Sequence, residues 1–176
     1  MTNFVTAIDF VYKPYHNIFK QCLLLFFFLA QKANQGQSRI VYANPKYVRN
    51  VHILTARASK GKPYTTNFTM EALTQIEDNI TMIATYNFKG MKVQWKETFC
   101  KIIRFKWVKD FVNEFFQPAI TRCPWPVGNY SIIDMELPPK NLHLPLSQGK
   151  LDPSVDFLIT GTNTYVLRIT MLLVLT

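Results

Sequence analysis

Asn79-Ile-Thr-Met-Ile-Ala-Thr-Tyr-Asn-Phe-Lys-Gly-Met-Lys-Val-Gln-Trp-Lys96 is the stretch on which the fold turns. Ile80, Met82, Ala84 and Tyr86 alternate with Thr81, Ile83 and Thr85. Beyond a turn at Asn87 to Gly90, Met91, Val93 and Trp95 alternate with Lys92, Gln94 and Lys96. Side chains of a strand point to opposite faces with a period of two, so the pattern predicts a β-hairpin with one apolar and one wet face.

C-terminal to the hairpin, Phe99, Cys100, Ile102 and Ile103 lead into the core. The rhythm then changes. Trp107, Val108, Phe111, Val112, Phe115 and Phe116 recur at three-to-four-residue spacing, with Lys109, Asp110, Asn113 and Glu114 opposite. This predicts an amphipathic helix from Lys106 to Gln117, ended by Pro118. Periodicity leaves two roles open for it, a cap on the core or a mobile aromatic lid over a cavity. Pro124-Trp125-Pro126-Val127-Gly128-Asn129 reads as a rigid turn, feeding a strand from Tyr130 to Leu137 that Pro138-Pro139 stops. Leu142, Leu144, Pro145 and Leu146 form a short apolar stretch, Lys150 to Thr162 reads as a long connection, and Tyr165 to Leu175 as a last strand.

N-terminal to the hairpin, Ile40-Val41-Tyr42 and Tyr47 to Leu54 are β-prone and separated by Asn44-Pro45. Ala58 to Thr66 reads as a loop, whose Lys60 and Lys62 suit a solvated turn better than a binding site. Short strands with one helix, and no alternation of strand and helix, favour an all-β sandwich over a parallel α/β sheet.

The chain has 176 residues, enough for one domain with a real core. Hydrophobic residues at 48% and charged residues at 18% exclude a disordered tail and a highly charged nucleic-acid arm. The 14 Phe residues exceed what such a core requires, so the core is unusually aromatic or some rings line a cavity. The net charge of +9 favours acidic partners such as anionic headgroups or sulfated glycans, and says nothing about fold.

Cys22-Leu-Leu-Leu-Phe-Phe-Phe-Leu-Ala30 is an unbroken apolar run preceded by Lys13 and Lys20 and followed by Gln31-Lys32. It reads as the apolar region of a secretory signal, well short of the ~20 residues a membrane span needs. A short buried strand would have a similar composition. Residues 1–36 are therefore set apart as an N-terminal extension with Ala33 or Gly36 as cleavage candidates, and 37–176 as the sandwich domain. Removing the extension takes Cys22 with it and leaves Cys100 and Cys123, an even count that predicts a disulfide in an oxidising compartment. Two buried free thiols are the other reading. Asn67-Phe-Thr69, Asn79-Ile-Thr81 and Asn129-Tyr-Ser131 are glycosylation acceptors that agree with a secreted, extracellular protein.

Signatures of catalysis are missing. His52 and His143 sit in no ligand or base motif, and there is no nucleophile elbow, zinc helix, Cys-x-x-Cys pair or phosphate-binding glycine loop. The expectation is a protein that is not an enzyme, with no cofactor, no metal and no nucleic-acid partner.

Val93-Gln-Trp-Lys-Glu-Thr-Phe-Cys100-Lys-Ile-Ile, then an aromatic helix, then Arg122-Cys-Pro-Trp-Pro-Val-Gly-Asn-Tyr130-Ser-Ile, resembles a family of small secreted insect proteins. That family is related to the ML lipid-recognition domain and includes the fly chemosensory B proteins. The similarity runs from about residue 45 to 147, with Cys123, Pro124, Gly128 and Tyr130 as its distinctive element. It implies an immunoglobulin-like two-sheet sandwich whose sheets splay to admit a lipid or pheromone-like molecule, a non-enzymatic role in chemosensation, and a possible membrane receptor. Phe99, Phe105, Trp107, Phe111, Phe115 and Trp125 are the candidates to line its cavity, although core packing would account for each singly. Leu144-Pro145 and Gly149 are separated from Tyr165 by an apparent insertion over 150–164, and this departs from the family's closing strand. The competing expectation is an extracellular protein with a filled core that meets a receptor or glycan through its cationic outside.

Overall fold

The computed structural model describes residues 33–88, 91–136 and 149–175. The apolar run at Cys22 to Ala30, the stop at Pro138-Pro139, the stretch Leu142 to Leu146 and His143 lie outside them. The described elements are, in chain order, β1 (Ala33–Ala43), β2 (Val48–Ala56), β3 (Thr65–Ala72), β4 (Ile80–Phe88), β5 (Met91–Thr98), α1 (Phe99–Ile102), α2 (Lys106–Phe115), β6 (Phe116–Gln117), β7 (Gly128–Met135), β8 (Gly149–Leu151), β9 (Ser154–Ile159) and β10 (Tyr165–Leu175). No helix among these residues is long and apolar enough to cross a membrane. β1 starts at Ala33, so residues 33–36 of the extension are strand.

The strands form a sandwich of two antiparallel sheets, as the strand pattern predicts, and of the immunoglobulin-like kind that the resemblance implies. The larger sheet runs β1-β10-β9-β4-β5, with β8 also on β10, and the smaller runs β2-β3-β7-β6. In the β4–β5 hairpin Ala84 faces Trp95 and Tyr86 faces Val93 on the inner side, while Ile83 faces Lys96 and Thr85 faces Gln94 on the outer. The ladder runs from Thr81 and Thr98 to the pairing of Phe88 with Met91.

Three strands, β3, β8 and β9, lie where the sequence pattern predicts none. β3 alternates inward Thr66, Phe68, Met70 and Ala72 with outward Asn67, Thr69 and Glu71, but threonines at both phases blur its period. The expected long connection at Lys150 to Thr162, and with it the insertion, is corrected. It holds β8 and β9, and β9 lies between β4 and β10 in the middle of the larger sheet. Asp156 hides this strand by breaking its apolar run. Its charge is matched across the ladder by Arg168, which donates to both carboxylate oxygens at 2.6 and 2.8 Å. Those hydrogen bonds hold the guanidinium well above its usual pKa. Such a bidentate pair fixes register as much as it stabilises.

α2 follows the predicted helix but ends at Phe115, because Phe116 turns extended and pairs with Ile132 of β7 ahead of Pro118. Val108 and Val112 are buried beneath it, so it caps the core. Cys100 and Cys123 form a disulfide with Cα atoms 5.5 Å apart, tying α1 to the loop before Trp125. Gly36 lies at a bulge of β1 where an added Cβ would come within 2.9 Å of Leu172 Cδ2, so a larger residue there would displace that side chain.

Replacing Cys100 and Cys123 together by serine is expected to lower stability by about 3 kcal/mol through the freed loop of the unfolded chain. Urea denaturation of the two proteins measures it.

Candidate ligand cleft between the sheets

In a filled sandwich the inward residues of middle strands are the most buried in the molecule. β9 does the reverse. Its inward Val155, Phe157 and Ile159 are half-buried, whereas outward Asp156 and Leu158 are 7% and 8% exposed. Met82 and Ala84 on β4 and Ile169 on β10 are also half-buried, and so are Ile53, Met70 and Ile132 across from them on the smaller sheet. Met82, Phe157, Ile159, Ile169, Ile53, Met70 and Ile132 pack against the buried core with part of their surface left accessible. The space between these two walls is the candidate site.

One end of it is shut. Trp125 is 2% exposed and meets Phe99 edge-on at 4.9 Å, Phe116 at 5.5 Å and the face of Tyr130 at 5.1 Å. Edge-to-face and stacked rings add to the burial of this floor. The Trp125 backbone exchanges hydrogen bonds of 2.8 and 2.9 Å with Ile76, the disulfide holds the loop in front of it, and Tyr130 Oη donates to the Pro126 carbonyl at 2.5 Å.

One side is shut as well, by a polar lock between β1 and the smaller sheet. Thr66 is fully buried, and its hydroxyl meets Gln35 Nε2, Thr55 Oγ1 at 2.7 Å and Ser38 Oγ at 3.4 Å. Ser38 N donates to Thr55 Oγ1 at 3.2 Å, so side chains join β1 to β2 and β3, with which it shares no ladder.

The opposite side has no such bridge among the described residues. There β5 is the edge of the larger sheet, and the smaller sheet ends in the two-residue β6. α2 stands in the opening. Trp95 of β5 contacts Phe105 and Trp107 at 5.9 and 6.2 Å, while Phe111 meets Phe115 and Phe116 at 5.2 and 5.8 Å. The inward Tyr86, away from the floor, is the polar exception on this wall. Burial pushes its phenol above the ordinary value, and its hydroxyl meets no hydrogen-bond partner among the described residues.

The six cavity candidates thus separate. Phe99 and Trp125 form the floor, Phe105 and Trp107 join Trp95 at the open side, and Phe111 and Phe115 cluster on α2. Val155, Phe157 and Tyr86 are the cleft residues the sequence reading passes over, and the alternation of Val155, Phe157 and Ile159 was the available signal. None of the six lines the cavity of about 290 Å³ on the outer face, between Thr81, Ile83, Lys96 and the turn at 161–163. Asn67, Asn79 and Asn129 are all exposed, Asn67 and Asn129 on the outer face of the smaller sheet. His52 is exposed on the same face, and among the described residues no cluster of three or more His, Cys, Asp or Glu could hold a metal ion.

Neither a family model nor a curated protein matches the chain. Among solved structures it is similar to chicken MD-1 complexed with lipid IVa. The identity is 8%, the TM-score is 0.34, and the match covers 79% of this chain and 97% of that one. These findings do not support the insect chemosensory family that the sequence resembles.

Two measurements test the cleft. Ala72 is 1% exposed beside the floor, so Ala72→Leu overpacks and costs about 1–3 kcal/mol, while the same change at half-buried Ala84 is expected to cost well under ~1 kcal/mol. Chemical denaturation of both variants compares them. In an alkaline ultraviolet titration Tyr86→Phe removes a phenol that titrates late. Its folded pKa lies above the unfolded value of ~10, so the neutral phenol favours folding below that pH and the contribution is lost as pH rises through the folded value.

Proposed function

We propose that this chain is a secreted, non-enzymatic binding protein that takes a lipid or another small hydrophobic, pheromone-like molecule between its two sheets. One observation carries the reading: inward Val155, Phe157 and Ile159 of β9 and Met82 and Ala84 of β4, with Met70 and Ile132 across from them, are half-buried while the disulfide end is packed solid. Apolar surface kept accessible inside a fold costs stability, and a hydrophobic ligand removes that cost by covering it. Burying about ten methylenes gains on the order of 8 kcal/mol, enough for micromolar binding before the cost of association is charged. Tyr86 is a lone polar group on the apolar wall, suited to orient a ligand that has one polar end. The filled-core alternative is disfavoured by the same walls, since the Trp125 floor displays what a filled core looks like in this protein.

Export is supported by the Cys100–Cys123 pairing and by three exposed acceptor asparagines. Signal cleavage after Gly36 would strip Gln35 from the polar lock, so we place the mature N-terminus at Ala33 or earlier.

Native mass spectrometry of the protein secreted from animal cells tests these points together. The expected result is a bound small molecule, a mature mass that retains Gln35, and quenching of a fluorescent fatty-acid probe after delipidation. Val155→Phe, which fills the wall of β9, is expected to abolish the quenching and leave the fold intact. Protein that carries no small molecule and ignores the probe would overturn the proposal.

A further inference from the structure

The corner where α1 turns into α2 carries a ring where helix physics disfavours one. Phe105 is the N-cap of α2, makes no side-chain cap bond, and leaves 43% of its surface exposed. Ser, Thr, Asp or Asn at this position would satisfy a free backbone N–H, which Phe cannot do. The first turn holds no acidic residue and begins with Lys106, so its charge also opposes the helix dipole. Local stability does not explain these choices.

Phe105 is the outer end of a continuous aromatic surface, in contact with Trp95 at 5.9 Å, which in turn meets Trp107 at 6.2 Å. Lys101, Arg104, Lys106 and Lys109 lie within four residues of it along the chain, all exposed. Lys101 is paired with Glu97 and Lys106 with Asp110, while Arg104 and Lys109 make no ion pair among the described residues.

We propose that this corner docks on an anionic lipid bilayer. Phe105 enters the interfacial region, Trp107 follows at headgroup depth, and Arg104 and Lys109 meet the negative headgroups. Bulky rings flanked by unpaired cations suit that boundary, where one side is apolar and the other wet and negatively charged. A neutral surface would leave the two cations without a partner. Docking stands on these residues alone. If the cleft reading also holds, Trp95 joins the docked surface to the open side between β5 and α2, and the ligand passes from bilayer to cleft.

Sedimentation of the secreted full chain with vesicles of phosphatidylcholine, with and without phosphatidylserine, is the test. The chain is expected to pellet with the anionic vesicles, to be released at high salt, and to bind the neutral ones weakly. Each surface cation contributes about five-fold in partitioning, so Arg104→Glu with Lys109→Glu is expected to weaken it at least ~25-fold. Phe105→Ser supplies a proper N-cap, so its circular dichroism should hold while vesicle binding drops several-fold. The double charge variant is expected to take up the fatty-acid probe normally in vesicle-free buffer. Equal binding to both vesicle types, or wild-type partitioning by the double charge variant, would overturn the docking surface. Vesicle binding without probe uptake would keep this surface and remove the cleft.

Discussion

Everything in this sandwich is arranged around the burial of Trp125. Its ring is held edge-on by Phe99 and Phe116 and face-on by Tyr130, its backbone is paired with Ile76, and the Cys100–Cys123 bond fixes the loop that delivers it. Residues from both sheets and both helices meet there, so the two layers are fastened at one end. The cost is its buried indole N–H, which meets no hydrogen-bond partner among the described residues. Such an orphan is tolerated only where the surrounding packing outweighs it.

With that end fixed, the rest of the sandwich need not be packed shut. The polar lock at Thr66 supplies a second fastening along one side, and it does so with hydroxyls and an amide rather than with apolar bulk. Hydrogen-bonded groups hold a fixed spacing, whereas an apolar contact would draw the sheets together until the space was filled. A floor of rings and a wall of hydroxyls thus fasten the two sheets at one end and along one side, which is the arrangement the proposed binding function needs. α2, anchored through Val108 and Val112, covers the remaining side without forming part of either sheet's ladder beyond β6.

Much of this was legible in the residues. The alternation between Ile80 and Trp95 gave the hairpin with its faces correctly assigned, and the three-to-four-residue spacing from Trp107 to Phe115 gave the helix. Cysteine parity gave the disulfide. The middle of the larger sheet was not legible, because Asp156 looks like loop chemistry until Arg168 is seen beside it, and that pairing is a long-range fact. β3 was hidden for a related reason, since Thr66 belongs inside only because Gln35, Ser38 and Thr55 satisfy it there. Composition predicted surplus aromatic surface but not its use. Phe99 and Trp125 are packed floor, Phe105 is exposed, and the inner wall owes more to Val155 and Phe157.

The edges of the sheets bear on behaviour at high concentration. A two-sheet protein risks pairing with its neighbours strand to strand through its unpaired edge groups, and each of the four edges among the described residues is blunted against that. β1 bulges twice, β2 is kinked at Asn50 where φ is positive, β5 carries Lys92 and Lys96, and β6 is two residues long. Among the described residues a foreign strand therefore finds no long, flat, uncharged ladder to extend, and the chain can remain dispersed at concentrations where an unguarded sheet edge would pair.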